Sequence, residues 1–259
     1  MSTPSTPMPA LFIGHGSPMN AIEDNAFTRA WREAAQSLPR PRAILCVSAH
    51  WETRGVAVCS AEWPRTIHDF RGFPQALFDV RYPAPGAPAL AARVAGLVRA
   101  TPVTATSQWG LDHGAWSVLR VMYPQADVPV AQLSLDSAQP GAFHVALAGE
   151  LAPLRDEGVL ILASGNIVHN LQLFDFHDPT PAPWAAHANG VLSERIRAGD
   201  LGALAHWSGL GADIVRGIPT PEHYLPLLYT LGVRHEGEPI AMFNETATSS
   251  LAMTCVRVG

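Results

Sequence analysis

Three short apolar runs, each ending at a histidine or a few residues ahead of one, constrain this 259-residue chain more than any other feature. Ala10-Leu11-Phe12-Ile13-Gly14 gives way to His15-Gly16-Ser17-Pro18, and Ala43 to Ala49 runs into His50-Trp51. Val159 to Ala163 leads through Ser164-Gly165-Asn166 to His169. Runs of this length, bounded by turn residues, predict strands buried on both faces. Between them, Phe27, Trp31, Ala35 and Leu38 fall on one face of a helix capped by Asp24 or Asn25. Leu90, Val94, Leu97 and Val98 mark a second helix, and Phe143, Leu147, Leu151 and Leu154 a third that Gly158 closes. Alternating strands and helices predict an α/β fold, a central mainly parallel or mixed β-sheet flanked by helices. One domain over residues 1–259 is expected, with residues 1–9 as a flexible tail.

Other stretches are read more coarsely. Trp63 to Pro88 is long, rich in Pro, Gly and aromatics, and lacks periodicity, which suggests a substrate-covering loop. Residues after the helix around Trp184, Ala188, Val191 and Ile196 are Gly-rich and weakly patterned up to 218. Thr220-Pro221-Glu222-His223 opens a helix with Thr as its cap, and Pro226 should kink its first turn. Pro239 to Phe243 and Leu251 to Val258 predict two closing strands.

Composition excludes several functional classes. With 47% hydrophobic and 15% charged residues the chain reads as a globular core rather than a disordered segment. A net charge of −5 and the lack of any Lys/Arg block argue against a nucleic-acid partner. No apolar run reaches the roughly 18 residues of a membrane span, and the start has no signal-peptide pattern. Cys46, Cys59 and Cys255 have neither zinc nor disulfide spacing, so free buried thiols and a cytoplasmic location are expected.

The histidines carry the chemistry. Of eleven, His144, His177, His187, His206 and His235 fall on helix flanks or in polar loops and are set aside as exposed or packed. His15, His50 and His169 follow buried strands, whose carboxyl ends converge at one edge of such a sheet, where ligands bind. His113 lies in the Gly-bounded turn Asp112-His113-Gly114, and His223 opens a helix whose partial positive charge favours a neutral ring. Imidazole is the commonest protein metal ligand, so these residues predict one shared metal ion. Asp69, Asp112 and Glu222 each adjoin a histidine and are candidate partners for outer ring nitrogens or substrate contacts. Neither GxGxxG nor GxxxxGK[ST] is present, so a nucleotide site is not indicated.

Gly14-His15-Gly16-Ser17-Pro18, Ser48-Ala49-His50-Trp51, His68-Asp69-Phe70, Asp112-His113-Gly114, Gly165-Asn166-Ile167-Val168-His169-Asn170 and Pro221-Glu222-His223-Tyr224 occur in that order. Together they resemble the class III, or LigB-type, extradiol ring-cleavage dioxygenases, in their small single-chain DOPA dioxygenase branch. The resemblance implies a non-haem Fe(II) enzyme, often isolated with Zn(II), that opens a catechol with both atoms of O2. It implies metal ligation by His15, His50 and His223, with His169 in or beside the metal shell as acid/base. His113 would contact substrate and deliver a proton, and Ser17, His68, Asp112 and Tyr224 would line the substrate site. The wider class uses two histidines and a carboxylate; here the third position falls at His223, with Glu222 beside it. An all-histidine set also matches hydrolytic zinc sites, so a zinc-dependent hydrolase is the alternative reading, with a non-catalytic metal-binding homologue as the third. The implied partners are a catechol and O2, in a monomer or small homo-oligomer.

Overall fold

The computed structural model describes residues 6–259. Its strands, in chain order, are β1 (Ala10–Gly14), β2 (Ala43–Glu52), β3 (Val56–Cys59), β4 (Val103–Thr106), β5 (Val130–Leu135), β6 (Val159–Gly165), β7 (Ile240–Phe243), β8 (Ala247–Thr248), β9 (Leu251–Ala252) and β10 (Cys255–Val258). The helices are α1 (Ala26–Gln36), α2 (Gln75–Phe78), α3 (Pro88–Leu97), α4 (His113–Met122), α5 (Gly141–Leu151), α6 (Pro153–Asp156), α7 (Pro183–Ala198), α8 (Leu201–Ala205), α9 (Ala212–Gly217) and α10 (Leu225–Gly232).

Eight strands form one mixed sheet in the order β4-β3-β5-β2-β6-β1-β10-β7, while β8 and β9 pair separately. Strands β5, β2, β6 and β1 are mutually parallel, and β10 and β7 close one side antiparallel. The single α/β domain expected from the alternation of apolar runs is therefore present. The central strands are buried on both faces because their residues alternate between two cores. Phe12, Leu45, Val47 and Ile161 pack with α3, α5, α7 and α10, and Leu11, Ile13, Ile44 and Cys46 pack with Trp31 of α1 and Trp116 of α4. Such strands read as unbroken apolar runs rather than alternating ones.

Several boundaries differ from those the sequence suggests. The closing strand over Leu251 to Val258 is split into β9 and β10, and residues 201–217 hold two short helices, α8 and α9, each too brief to show a periodic apolar face. The helix through Leu154 breaks at Ala152, because Pro153 has no N–H to continue it and instead starts α6. Pro226 does not kink a helix interior. Helix α10 begins at Leu225, which puts Pro226 in the first turn, where a missing N–H costs nothing. Residues 1–5 of the expected tail lie outside the described residues, whereas Met8 and Pro9 are buried. Met8 N donates to Arg155 O at 3.0 Å, and Arg155 Nε donates to Met8 O at 2.7 Å.

His144, set aside as exposed or packed, is fully buried on α5 with Nδ1 3.1 Å from Tyr229 Oη. Burial lowers its pKa from 6.5 to about 4. Above pH 6.5 the ring is neutral whether folded or unfolded and contributes nothing. As pH falls below 6.5 the unfolded chain takes the proton first, so stability declines by about 1.4 kcal/mol per pH unit until the folded-state value is reached. In His144→Gln, denaturant midpoints should fall less between pH 7 and pH 5 than in the parent. Equal declines would mean His144 is not held neutral.

Candidate metal centre

The three strand-end histidines lie on three adjacent parallel strands or the turns just after them. His15 follows β1, His50 lies near the end of β2, and His169 comes four residues after β6. The β2–β5 register shifts between Val47 and Glu52, an irregularity of the kind that re-aims side chains beside active sites. His223 lies in the turn before α10, and its carbonyl accepts from Asn166 N at 2.8 Å, tying that turn to the end of β6. A Cβ on Gly165 would stand 2.1 Å from His223 O, so only glycine allows this approach.

One ring nitrogen each of His15, His50 and His223 lies within 4.8 Å of the others. The Nε2 atoms of His15 and His50 are 3.2 Å apart. At His15, Nδ1 is 2.9 Å from Ser164 Oγ, while that hydroxyl donates its one proton to Gly114 O at 2.6 Å. Ser164 must therefore accept from His15 Nδ1–H, which leaves the Nε2 lone pair directed at His50. At His223, Nδ1 faces Glu222 Oε1 at 3.1 Å, so these sequence neighbours do pair, against the ordinary expectation for adjacent residues. Burial drives the pKa of His15 and of His223 well below 6.5, with the neighbouring imidazoles adding to it. Burial and His113 lower His50 to about 3. Uncharged rings with converging lone pairs repel one another unless a cation sits between them. The donor set fits a divalent metal ion.

His169 joins a different group. Its ring stacks on His223 with centroids 3.5 Å apart and planes 6° apart, and one of its ring nitrogens lies within 4.8 Å of a Glu222 carboxylate oxygen and a His223 ring nitrogen. Burial lowers its pKa to about 4. His113 is the first residue of α4 rather than part of a preceding turn, and its ring centroid lies 3.9 Å from that of His50. Its Nδ1 is 3.0 Å from Asp69 Oδ2. Phe70 stands edge-on to the same ring at 5.6 Å and continues into Phe73 and Phe78, giving an aromatic wall beside the histidines.

The four residues expected to line the substrate site have different surroundings. Ser17 is exposed and caps a short 3-10 turn, its Oγ accepting from Met19 N at 3.2 Å. His68 packs against Phe70 and Trp116, with Nε2 3.0 Å from Val80 O. Asp112 is fully buried and spent on structure: it accepts from Ser48 Oγ at 2.6 Å, from Ala115 N at 3.0 Å and from Gln132 Nε2. Tyr224 is fully buried, and its hydroxyl donates to Leu204 O at 2.9 Å, away from the histidines. Asp69 and Ser164 contact the histidine rings instead. Asp69 was visible only as a neighbour of His68, and Ser164 only as the first polar residue after an apolar run.

A family model described as the catalytic LigB subunit of aromatic ring-opening dioxygenase matches residues 8–254. The chain belongs to the LigB family. Within that family it is similar to a 4,5-DOPA dioxygenase extradiol of Escherichia coli K12, at 50% identity over 98% of this chain and 96% of the relative. It is also similar to a 4,5-DOPA dioxygenase extradiol of Beta vulgaris, at 39% identity over 91% of this chain and 90% of that one. The crystal structure of an uncharacterized protein from Escherichia coli K12 superposes with a TM-score of 0.85 at 44% identity, covering 97% of this chain and all of that one. As a LigB-family protein it is an aromatic ring-opening dioxygenase with a histidine cluster suited to a metal ion. Among the described residues no helix is long and apolar enough to cross a membrane.

Proposed function

We propose that this chain is an extradiol dioxygenase that opens a catechol such as DOPA beside its two hydroxyls, inserting both atoms of O2. The convergence of His15, His50 and His223 within 4.8 Å carries the reading, in a chain 50% identical to a 4,5-DOPA dioxygenase. These three residues would hold the ion. A bound Fe(II) would supply adjacent open positions for both catechol oxygens and for O2. The remaining work falls to the protein. His169 and His113 lie beside the ligand set, next to His223 and His50 respectively. With its pKa lowered to about 4, His169 is neutral at physiological pH and able to accept a phenolic proton. The Phe70 wall would guide a planar ring to the histidines. Buried, unpaired Cys46, Cys59 and Cys255 support a cytoplasmic setting.

Oxygen-electrode assays on protein loaded separately with Fe(II) and Zn(II) test the proposal. Oxygen uptake and a yellow ring-opened product are expected with Fe(II) alone. Anaerobic turnover with Zn(II) would instead favour a hydrolase, which the all-histidine donor set also suits. Proton carriers typically contribute about 10²–10⁴-fold. His169→Ala and His113→Ala should each lose turnover on that scale while retaining metal by elemental analysis. Near-parental turnover in either variant removes that residue from the mechanism.

A further inference from the structure

The loop over residues 63–88 brings one carboxylate to the outer nitrogens of two site histidines. Asp69 Oδ1 accepts from the backbone N–H of His113 at 2.9 Å, and Oδ2 lies 3.0 Å from His113 Nδ1 and 3.6 Å from His50 Nδ1. We propose that Asp69 is a positioning residue that fixes the working tautomer and orientation of His113 while steadying His50 on the metal side. The idea rests on the ring-cleavage reading of the site, in which His113 carries a proton.

The alternatives for that role are occupied. Asp112 precedes His113 in sequence but is consumed by Ser48, Ala115 and Gln132. His68, beside Asp69, turns to Val80 O. The His113 side chain is 9% exposed, and its Nδ1 makes no aligned hydrogen bond among the described residues; Asp69 Oδ2, 3.0 Å away, is the acceptor that stands beside it. An ionised carboxylate only accepts hydrogen bonds, and Oδ1 already accepts one from the His113 main chain. Facing an acceptor, His113 Nδ1 carries the hydrogen, and Nε2 keeps its lone pair. At His50 the carboxylate oxygen stands 3.6 Å from Nδ1, a charge contact rather than a hydrogen bond. With one catechol proton taken by His169, the second O–H bond breaks as its proton forms the new N–H bond at His113 Nε2, the proton His113 later delivers. The products are a phenolate and an imidazolium, and the Asp69 charge balances the latter. Asp69 is bonded to the main chain of His113 and stands 3.0 Å from its ring nitrogen, so a ring that turned away would lose the carboxylate beside it.

Asp69→Asn separates this role from simple scaffolding. The amide keeps an oxygen for His113 N–H but presents an NH2 group to Nδ1, which favours the opposite tautomer. On the iron-loaded enzyme, kcat should fall by about 10²–10⁴-fold with a much smaller change in KM. Metal affinity should fall by about 10-fold, the lower end of the range for outer partners of ligating histidines. In a His113→Gln background the same substitution should cost no further kcat; equal losses in both backgrounds would overturn the proposal. ¹⁵N NMR of the zinc-loaded parent should find His113 as the Nδ1–H tautomer, and Asp69→Asn should shift it to Nε2–H. This readout needs no turnover. A parent with the Nε2–H form refutes the proposal even if the variant does not fold. A parent that opens no catechol yet shows the tautomer switch refutes the ring-cleavage reading and leaves the positioning role standing.

Discussion

His15→Ala should lose the metal while keeping the fold. The ring is 2% exposed, and its Nδ1 is held by the neutral Ser164 rather than by an ion pair, so the truncation strands no buried charge. The backbone of His15 is fixed separately, with its N–H donating to Gly165 O at 3.0 Å and its carbonyl accepting from Asn20 Nδ2 at 2.9 Å. Removing an outer partner of a ligating histidine typically costs about 10–100-fold in metal affinity, so removing a ligand should exceed about 10²-fold. With metal at about 100 times its Kd, the parent gains roughly 2.7 kcal/mol of stability by mass action. Melting with and without added ion should therefore show a rise in the parent and none in His15→Ala, with ring cleavage at the blank level. A variant that melts like the metal-loaded parent would remove His15 from the ligand set.

The second large effect lies far from the metal. Arg155 is fully buried on α6 and has every arm occupied. Nε donates to Met8 O, one terminal nitrogen donates to Val233 O at 2.8 Å and to Glu238 Oε2 at 2.6 Å, and the other donates to Glu238 Oε1 at 2.7 Å. Arg155→Met keeps much of the volume but leaves two carbonyls without their donor and Glu238, 16% exposed and still accepting from His235 N at 2.9 Å, without its cation. Breaking one side of a fully buried pair costs about 3–5 kcal/mol, and the partly exposed Glu238 puts this one at the lower end. In a chain of this size that lowers the melting temperature on the order of 10 °C. Arg155→Met with Glu238→Leu should recover part of the loss, because an apolar pair avoids the stranded charge. A single variant within about 1 kcal/mol of the parent would show that solvent, rather than Arg155, satisfies these groups.

The parallel part of the sheet and the meeting of its histidines were legible in the sequence for one reason. Parallel neighbours put their carboxyl ends on the same edge, so runs ending near His15, His50 and His169 had to meet. What could not be read was which nitrogen each ring presents, because that depends on Ser164, Asp69 and Glu222. The contact of Asp69 with His113 spans 44 residues, from a loop without periodicity to a helix start, and no spacing rule reports it. The start of α10 was misread because Pro221 and Pro226 both suit a first turn, and the structure uses the second. Tyr224 looked like a pocket aromatic through its neighbour His223, yet consecutive side chains diverge and its ring enters the core.

The loop that delivers Asp69 is anchored on both sides of that residue. Ile67 N donates to Leu111 O at 2.8 Å and Leu111 N to Arg65 O at 2.9 Å. On the far side, Tyr82 N donates to Thr66 Oγ1 at 2.9 Å and Gly86 N to Glu62 O at 2.8 Å. Residues 71–79, which include Phe73, Phe78 and α2, form an excursion between those fastenings. Leu77 in that span is fully buried in the core, so a designer could keep it and exchange the residues around it to reshape the aromatic approach for bulkier rings while the proton-handling residues stay in register.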